Sequence, residues 1–345
     1  MRNKVNIKKI QGKSSIVKDD NKPIGLINVD CNCYMNSVIQ CLFHLNEFRN
    51  YFIINDFSEE EYPISFELKN IMMKLINKNE GKSFALTKFK ELMSDIDDCF
   101  EGSNGADASD LLRYIFSSIS SEQTKCGPDI SKMSSITIDT NNENKCFSEC
   151  QERVGENTAL IYITNYIRTV NKCLYKRENK LKYAFNGHKP FYEFENQSII
   201  DINFKEYHNI NDFFSNMSNI NKTIEFCPEC KNEVDCHSVK SLYMTSNYLI
   251  INIDYGKNMK INKSFDYDYN LYVKVSNSNS LNSFKLLCIV FHIGESSLSG
   301  HYFACCRNGN QFFKLDDTKV VPISLNDIKN KKEYKPYILF YEKSY

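Results

Sequence analysis

Apolar side chains keep one period in the first third of this chain and another in the remainder. From Tyr34 onward Met35, Val38, Leu42 and Leu45 recur at helical spacing. Leu68, Ile71, Met72, Leu75 and Ile76 do the same, as do Phe89, Leu92, Met93 and Ile96. A fourth stripe, Leu111, Leu112, Ile115, Phe116 and Ile119, predicts a helix with Asp107 or Ser109 as its cap. Between about Lys125 and Asn157 the periodicity fades into Ser, Asn, Glu and Gly, which predicts loops. Beyond that point the segments ALIYITNYIRTV, NYLIINIDY, NLYVKV, FKLLCIVFHIG, HYFACC, QFFKLDD and YILFYEK read as strands separated by turn residues. Helices first and strands later predict an α+β fold with segregated layers, not alternating βαβ units.

The 345 residues carry 43 basic and 43 acidic side chains. A balanced charge gives no general attraction to nucleic acid or to an anionic membrane, so neither is expected as a partner. No run of about 18 apolar residues is present, so membrane insertion is not expected. Residues 1–22 are basic and lack the apolar centre of a secretion signal; they read as a solvated, disordered tail ahead of one folded unit, 23–345. Fourteen cysteines without such a signal argue for reduced thiols and an intracellular setting, cytoplasm or nucleus. Those cysteines then serve as core filler, metal ligands or catalysts.

Three of them, Cys31, Cys33 and Cys41, fall within GLINVDCNCYMNSVIQCL. Cys33 stands where the helical pattern begins, and the N-terminus of a helix favours a thiolate. A base is offered far along the chain, in GESSLSGHYFACCRNGNQFFKLDDTKVV. His301 opens a strand there, and a turn at 308–310 returns a second strand ending in Asp316 and Asp317. Thiol chemistry uses that combination: the imidazole takes the proton and a carboxylate orients the ring. The amide of Asn28 is placed to serve an oxyanion.

Together these segments resemble the ubiquitin-specific protease family of deubiquitinating enzymes. Its cysteine box, Gly-Leu-x-Asn-x-Gly-Asn-Thr-Cys-Tyr-Met-Asn-Ser, is matched by Gly25, Leu26, Asn28, Cys33, Tyr34, Met35, Asn36 and Ser37, with Gln40 and Leu42 beyond. Its histidine box is matched by Gly300, His301, Tyr302, Asp316, Asp317 and Val320, its upstream His-x-Gly by His292 and Gly294, and its closing strand by 337–341. The resemblance implies a papain-like α+β domain with a helical thumb (about 23–135) and a β-rich palm with a finger-like β extension (about 136–345). It implies that Cys33 attacks, His301 acts as base and Asp316 as orienter. Asn28 would serve the oxyanion, with support from Asp317, and Cys31 and Cys41 are structural. The implied reaction is hydrolysis after the C-terminal glycine of ubiquitin, on ubiquitinated proteins, with no cofactor in catalysis. Gly300 and Tyr302 would line the channel for the two terminal glycines. Asp107 and Asp110, in the match to Gln-Asp-Ala-x-Glu-Phe-Leu, would meet the arginine-containing ubiquitin tail.

Two departures stand out. The family's Gly-Asn-Thr before the nucleophile is Asp30-Cys31-Asn32, in a turn that favours positive φ. This substitution keeps open a catalytically weakened ubiquitin-binding scaffold, and a protease for a ubiquitin-like modifier is a further alternative. The family's zinc site, two Cys-x-x-Cys pairs, is also eroded: Cys227 and Cys230 remain, but Cys173 faces Lys176 where a second thiol belongs. Three thiolates need a fourth ligand, from Cys236, His237 or the Cys146–Cys150 pair, or the structural zinc is lost.

Overall fold

The computed structural model describes residues 22–103, 105–123, 136–140, 142–155, 158–174, 188–256, 264–296 and 299–344. Residues 1–21 of the expected N-terminal tail and the segment 124–135 lie outside the described residues.

Helices come first. α1 (Cys33–His44), α2 (Asn46–Ile54), α3 (Pro63–Ile76), α4 (Thr87–Ile96) and α5 (Ala108–Gln123) follow the predicted stripes. Two short strands, β1 (Leu26–Ile27) and β2 (Phe84–Ala85), pair in parallel beside them. Every residue of α1 except Phe43 is buried, as befits a helix wedged between two layers rather than lying on one. Several of its polar groups are paired, although the Tyr34 hydroxyl and Asn36 Oδ1 are buried with no hydrogen-bond partner among the described residues. Ser37 Oγ donates to the Tyr34 carbonyl at 2.8 Å, Gln40 Nε2 to the Ile24 carbonyl at 2.9 Å, and His44 Nδ1 meets the Gln40 carbonyl at 2.7 Å.

The segment predicted as loops differs from expectation. It contains β3 (Ile136–Thr140) and α6 (Glu143–Val154). Asn142 caps α6 by accepting from the Lys145 amide, and Cys146, Cys150 and Val154 form its buried stripe. Two of those three are cysteines, which act as small apolar side chains. The ALIYIT stretch also departs from strand, forming a single 3₁₀ turn at Ala159–Tyr162.

A five-stranded sheet follows, built with β3 from β4 (Asn165–Cys173), β5 (Phe191–Gln197), β7 (Ile220–Cys227) and β8 (Asn232–Met244), in the order β3-β5-β4-β8-β7. Between β5 and β7 come β6 (Ile200–Asn203) and α7 (Ile210–Met217). The long sheet contains β9 (Tyr248–Asp254), β10 (Asn270–Val275), β11 (Ser280–Ser296), β12 (Ser299–Asn308), β13 (Gln311–Asp316), β14 (Lys319–Ile323) and β15 (Lys335–Ser344). Its order is β14-β13-β12-β11-β15-β9-β6, with β10 also paired to β11, and α8 (Leu325–Lys329) links β14 to β15. Six of the seven β9 residues are buried, because both of its faces are covered. The expected α+β fold is observed. α1 packs on β11 and β12, which brings the start of the chain against its last third. Among the described residues no helix is long and apolar enough to cross a membrane.

Candidate active site

Cys33 is the first residue of α1 and is 8% exposed, at the seam between helix and sheet. The Asn32 carbonyl accepts from the Asn36 amide at 3.0 Å, which starts the helix immediately ahead of the thiol. Across the seam the Tyr302 amide donates to Cys33 Sγ at 3.5 Å, and the His301 imidazole lies near enough to the same sulfur for it to raise the ring's pKa.

His301 lies on β12 opposite Ile293 of β11. On its other side β12 pairs with β13, Ala304 opposite Leu315; continuing that register sets Asp316 opposite Phe303 and diagonal to His301 on the same face. The diagonal is closed by a contact of 2.6 Å between His301 Nε2 and Asp316 Oδ1. Lys314 Nζ approaches Asp316 Oδ2 at 2.9 Å while standing over the Phe303 ring, 4.2 Å from its centroid. The carboxylate is thus held between two cations, and its pKa falls to about 2, with the His301 bond as the largest cause. In return the Asp316 bond, followed by the Cys33 thiol, outweighs burial and raises the His301 pKa to about 10. Asp316→Asn removes the anion that favours imidazolium, so the alkaline limb of kcat/KM is expected to move down toward neutral pH. An unmoved limb would contradict this account of the ring.

Asp317 turns the other way. Its φ is +52°, and its hydrogen bonds run to the start of the chain although a carboxylate oxygen stays within 4.8 Å of the His301 ring. Asn28 Nδ2 donates to its Oδ2 at 2.9 Å and Asn36 Nδ2 to its Oδ1 at 2.9 Å, while its carbonyl accepts from the Leu26 amide at 3.0 Å. An ionised carboxylate only accepts, so the expected support of an oxyanion by Asp317 would have to pass through Asn28. Gly25 is needed for this docking: a Cβ there would stand 2.3 Å from the Asp317 carbonyl oxygen. Asn36 is part of the matched motif, yet its link to Asp317 has no signal in spacing.

The expected channel residues are placed nearby. Gly300 pairs with Gly294, and the His292 ring lies directly under both, so a Cβ at Gly300 would come within 2.6 Å of it. His292 is fully buried with no hydrogen-bond partner for either ring nitrogen among the described residues, and burial lowers its pKa to about 4. Tyr302 is 3% exposed and packs edge-on against His292 and Tyr337. Asp107 does cap α5, accepting from the Ser109 amide at 2.7 Å, and it also accepts from the Tyr337 hydroxyl. Asp110 is exposed on the first turn of α5.

At the far end of the five-stranded sheet, Cys173, Cys227 and Cys230 converge as expected, but their fourth neighbour is His188. One donor atom from each lies within 4.8 Å of the others. His188 Nδ1 stands 3.4 Å from Cys227 Sγ and 3.3 Å from Cys230 Sγ, and Cys173 Sγ is 3.6 Å from Cys230 Sγ. None of the alternative donors enters this group. Cys236 is buried beside it opposite Cys173, His237 pairs with Lys172 one position further along, and Cys146 and Cys150 are carried off on α6. His188 sits just before β5, whose Phe191 pairs with Asn171, so hairpin register carries it to the end of β4 near Cys173. Every described cysteine is a free thiol.

A buried thiol at a helix N-terminus, facing an imidazole aimed by a carboxylate from the next strand, defines a cysteine peptidase class site on a papain-like α+β frame. A family model described as ubiquitin carboxyl-terminal hydrolase matches residues 24–341. Ubiquitin carboxyl-terminal hydrolase 16 of Arabidopsis thaliana is 23% identical over 343 residues, 93% of this chain and 30% of the relative. The probable ubiquitin carboxyl-terminal hydrolase 16 of Schizosaccharomyces pombe is 29% identical over 116 residues, 31% of this chain and 25% of the relative. A solved structure of the SAGA DUB module containing Ubp8, bound to monoubiquitin, superposes with a TM-score of 0.66 at 16% identity, covering 98% of this chain and 72% of that one. The chain belongs to the ubiquitin carboxyl-terminal hydrolase family. It spans less than a third of the length of those two curated relatives.

Proposed function

We propose that this chain is a thiol-dependent deubiquitinase that cleaves the isopeptide or peptide bond after the C-terminal glycine of ubiquitin. The observation that carries the reading is the His301 Nε2–Asp316 Oδ1 contact of 2.6 Å, on an imidazole whose other side meets Cys33. The Cys33 thiolate adds to the glycine carbonyl carbon, and the charge that develops on oxygen is met by an Asn28 N–H. Asp317 and Asn36 hold Asn28 in place. His301 hands its proton to the departing amine as the C–N bond breaks, leaving a thioester. Water, deprotonated by His301, then releases the ubiquitin carboxylate and restores the thiol. No step calls for a cofactor. Asp110, with Asp107 behind it, suits the arginine-bearing tail, and the Gly294–Gly300 pair over His292 suits a two-glycine terminus that has no side chains.

The helical layer, the long sheet and the five-stranded extension fit the roles of thumb, palm and fingers around a ubiquitin globe. The three thiols and His188 form a donor set that suits tetrahedral structural zinc, with the Glu229 carboxylate 3.9 Å from His188 Nε2. Zinc bound there cross-links β4, the turn after β7 and the approach to β5. Metal analysis is expected to find one zinc per chain, and His188→Ala to lose it. Purified chain without metal would overturn the assignment. The abundance of free thiols suits a reducing interior, cytoplasm or nucleus.

The test is ubiquitin carrying a C-terminal electrophile. Covalent capture at Cys33 supports the hydrolase. Reversible binding without capture would point to a scaffold, and capture only by a probe made from a ubiquitin-like modifier would change the substrate.

A further inference from the structure

The turn that presents the nucleophile is built from residues poorly suited to it. Asp30 and Cys31 have φ of +53° and +59°, two successive left-handed residues that both carry a Cβ. Side chains disfavour that region, and glycine is the residue that enters it freely. This turn spans the two groups that must act together, Asn28 and Cys33. A small rotation within it alters the distance from the oxyanion donor to the sulfur. Inside the turn, the Val29 amide donates to Asn32 Oδ1 at 2.9 Å, a bond that leaves the peptide after Asp30 unrestrained.

That peptide is held from outside. Lys90 Nζ donates to the Asp30 carbonyl at 3.0 Å and to the Gly102 carbonyl at 2.6 Å, so one ammonium joins two left-handed turns, Gly102 having a φ of +70°. Its own base is firm. Lys90 lies on α4 next to Phe89, which is fully buried, and one turn before Ser94, whose hydroxyl bonds to the Lys90 carbonyl at 2.9 Å and to the Phe100 carbonyl at 3.1 Å. We propose that Lys90 is a positioning residue for the hydrolysis: its ammonium clamps the Asp30 carbonyl and so fixes Asn28 relative to Cys33, in place of the backbone freedom that glycine would have at position 30. The inference rests on the hydrolase reading above.

The experiment compares wild type, Lys90→Met, Lys90→Arg, Asp30→Gly and the Lys90→Met/Asp30→Gly double variant. Each is assayed with a fluorogenic C-terminal amide of ubiquitin, and amide hydrogen exchange is followed over residues 28–33. Lys90→Met is expected to lower kcat about tenfold, the scale of a small misplacement of reacting groups, with KM within about twofold. Lys90→Arg, which retains a cationic donor, should recover most of the loss. In the Asp30→Gly background the same lysine replacement should cost less than about threefold, because glycine keeps the turn without help. Exchange at 28–33 should quicken in Lys90→Met relative to wild type, while the double variant should match Asp30→Gly. Equal losses in both backgrounds, a change confined to KM, or unchanged exchange in Lys90→Met would overturn the clamp. If wild type shows no turnover, the hydrolase reading fails separately, and the exchange data still decide whether Lys90 holds the turn.

Discussion

Cys33→Ala is expected to reduce ubiquitin-amide hydrolysis by about 10⁴-fold or more, the scale seen when a nucleophile is removed from a catalytic triad. Ubiquitin binding should survive, because Cys33 is 8% exposed and contributes little contact area. The fold should survive as well, since the lost atom leaves room at a seam and not in the centre of the core. Steady-state turnover and a binding titration on the same preparation check both statements. Turnover persisting in Cys33→Ala would mean that another of the early cysteines attacks. Wild-type binding with no turnover would move the chain to the scaffold class.

Gly300→Ala should be the most damaging single-methyl addition in the long sheet. A Cβ there would lie 2.3 Å from the Ile293 carbonyl oxygen and 2.6 Å from two atoms of the His292 ring. Neither can withdraw: the carbonyl belongs to the paired β11 backbone, and the ring is fully buried under Gly294. Overpacking of this kind costs about 1–3 kcal/mol, and the shift falls on His301, the next residue. Stability and kcat are therefore expected to drop together. Gly309→Ala provides the comparison. At φ of +58° no heavy atom lies within 4 Å of its Cβ, so only the left-handed penalty of about 1 kcal/mol applies, and kcat should hold. Denaturant melts and turnover on both variants test the contrast; equal effects would remove the steric argument.

Much of this arrangement was legible in the residues. Leu111, Leu112, Ile115, Phe116 and Ile119 announced α5 because a helix repeats its apolar face, and Asp107 was readable as its cap. Cys33 at a helix start and His301 ahead of a hairpin followed from where periodicity and turn residues fall. Other features had no such trace. The stripe of α6 is two-thirds cysteine, a residue that counts for packing as readily as for chemistry, so the helix escaped notice. His188 meets the three thiols only through the pairing of β4 with β5, and register across a hairpin cannot be read from ligand spacing. The bonds of Asn28 and Asn36 to Asp317 join positions separated by 289 and 281 residues, beyond anything local sequence can specify.

Those long separations bear on the life history of the molecule. On the proposed reading, residues 25–36 supply the attacking atom and the donor for the charged oxygen, and residues 300–317 the proton carrier and the anchor for that donor. Without β12 and β13 the helical layer lacks the His301–Asp316 half of this arrangement, however well its helices have formed. On the proposed reading, competence arrives only when β12 and β13 pack beside α1, which would make hydrolysis a report on that packing.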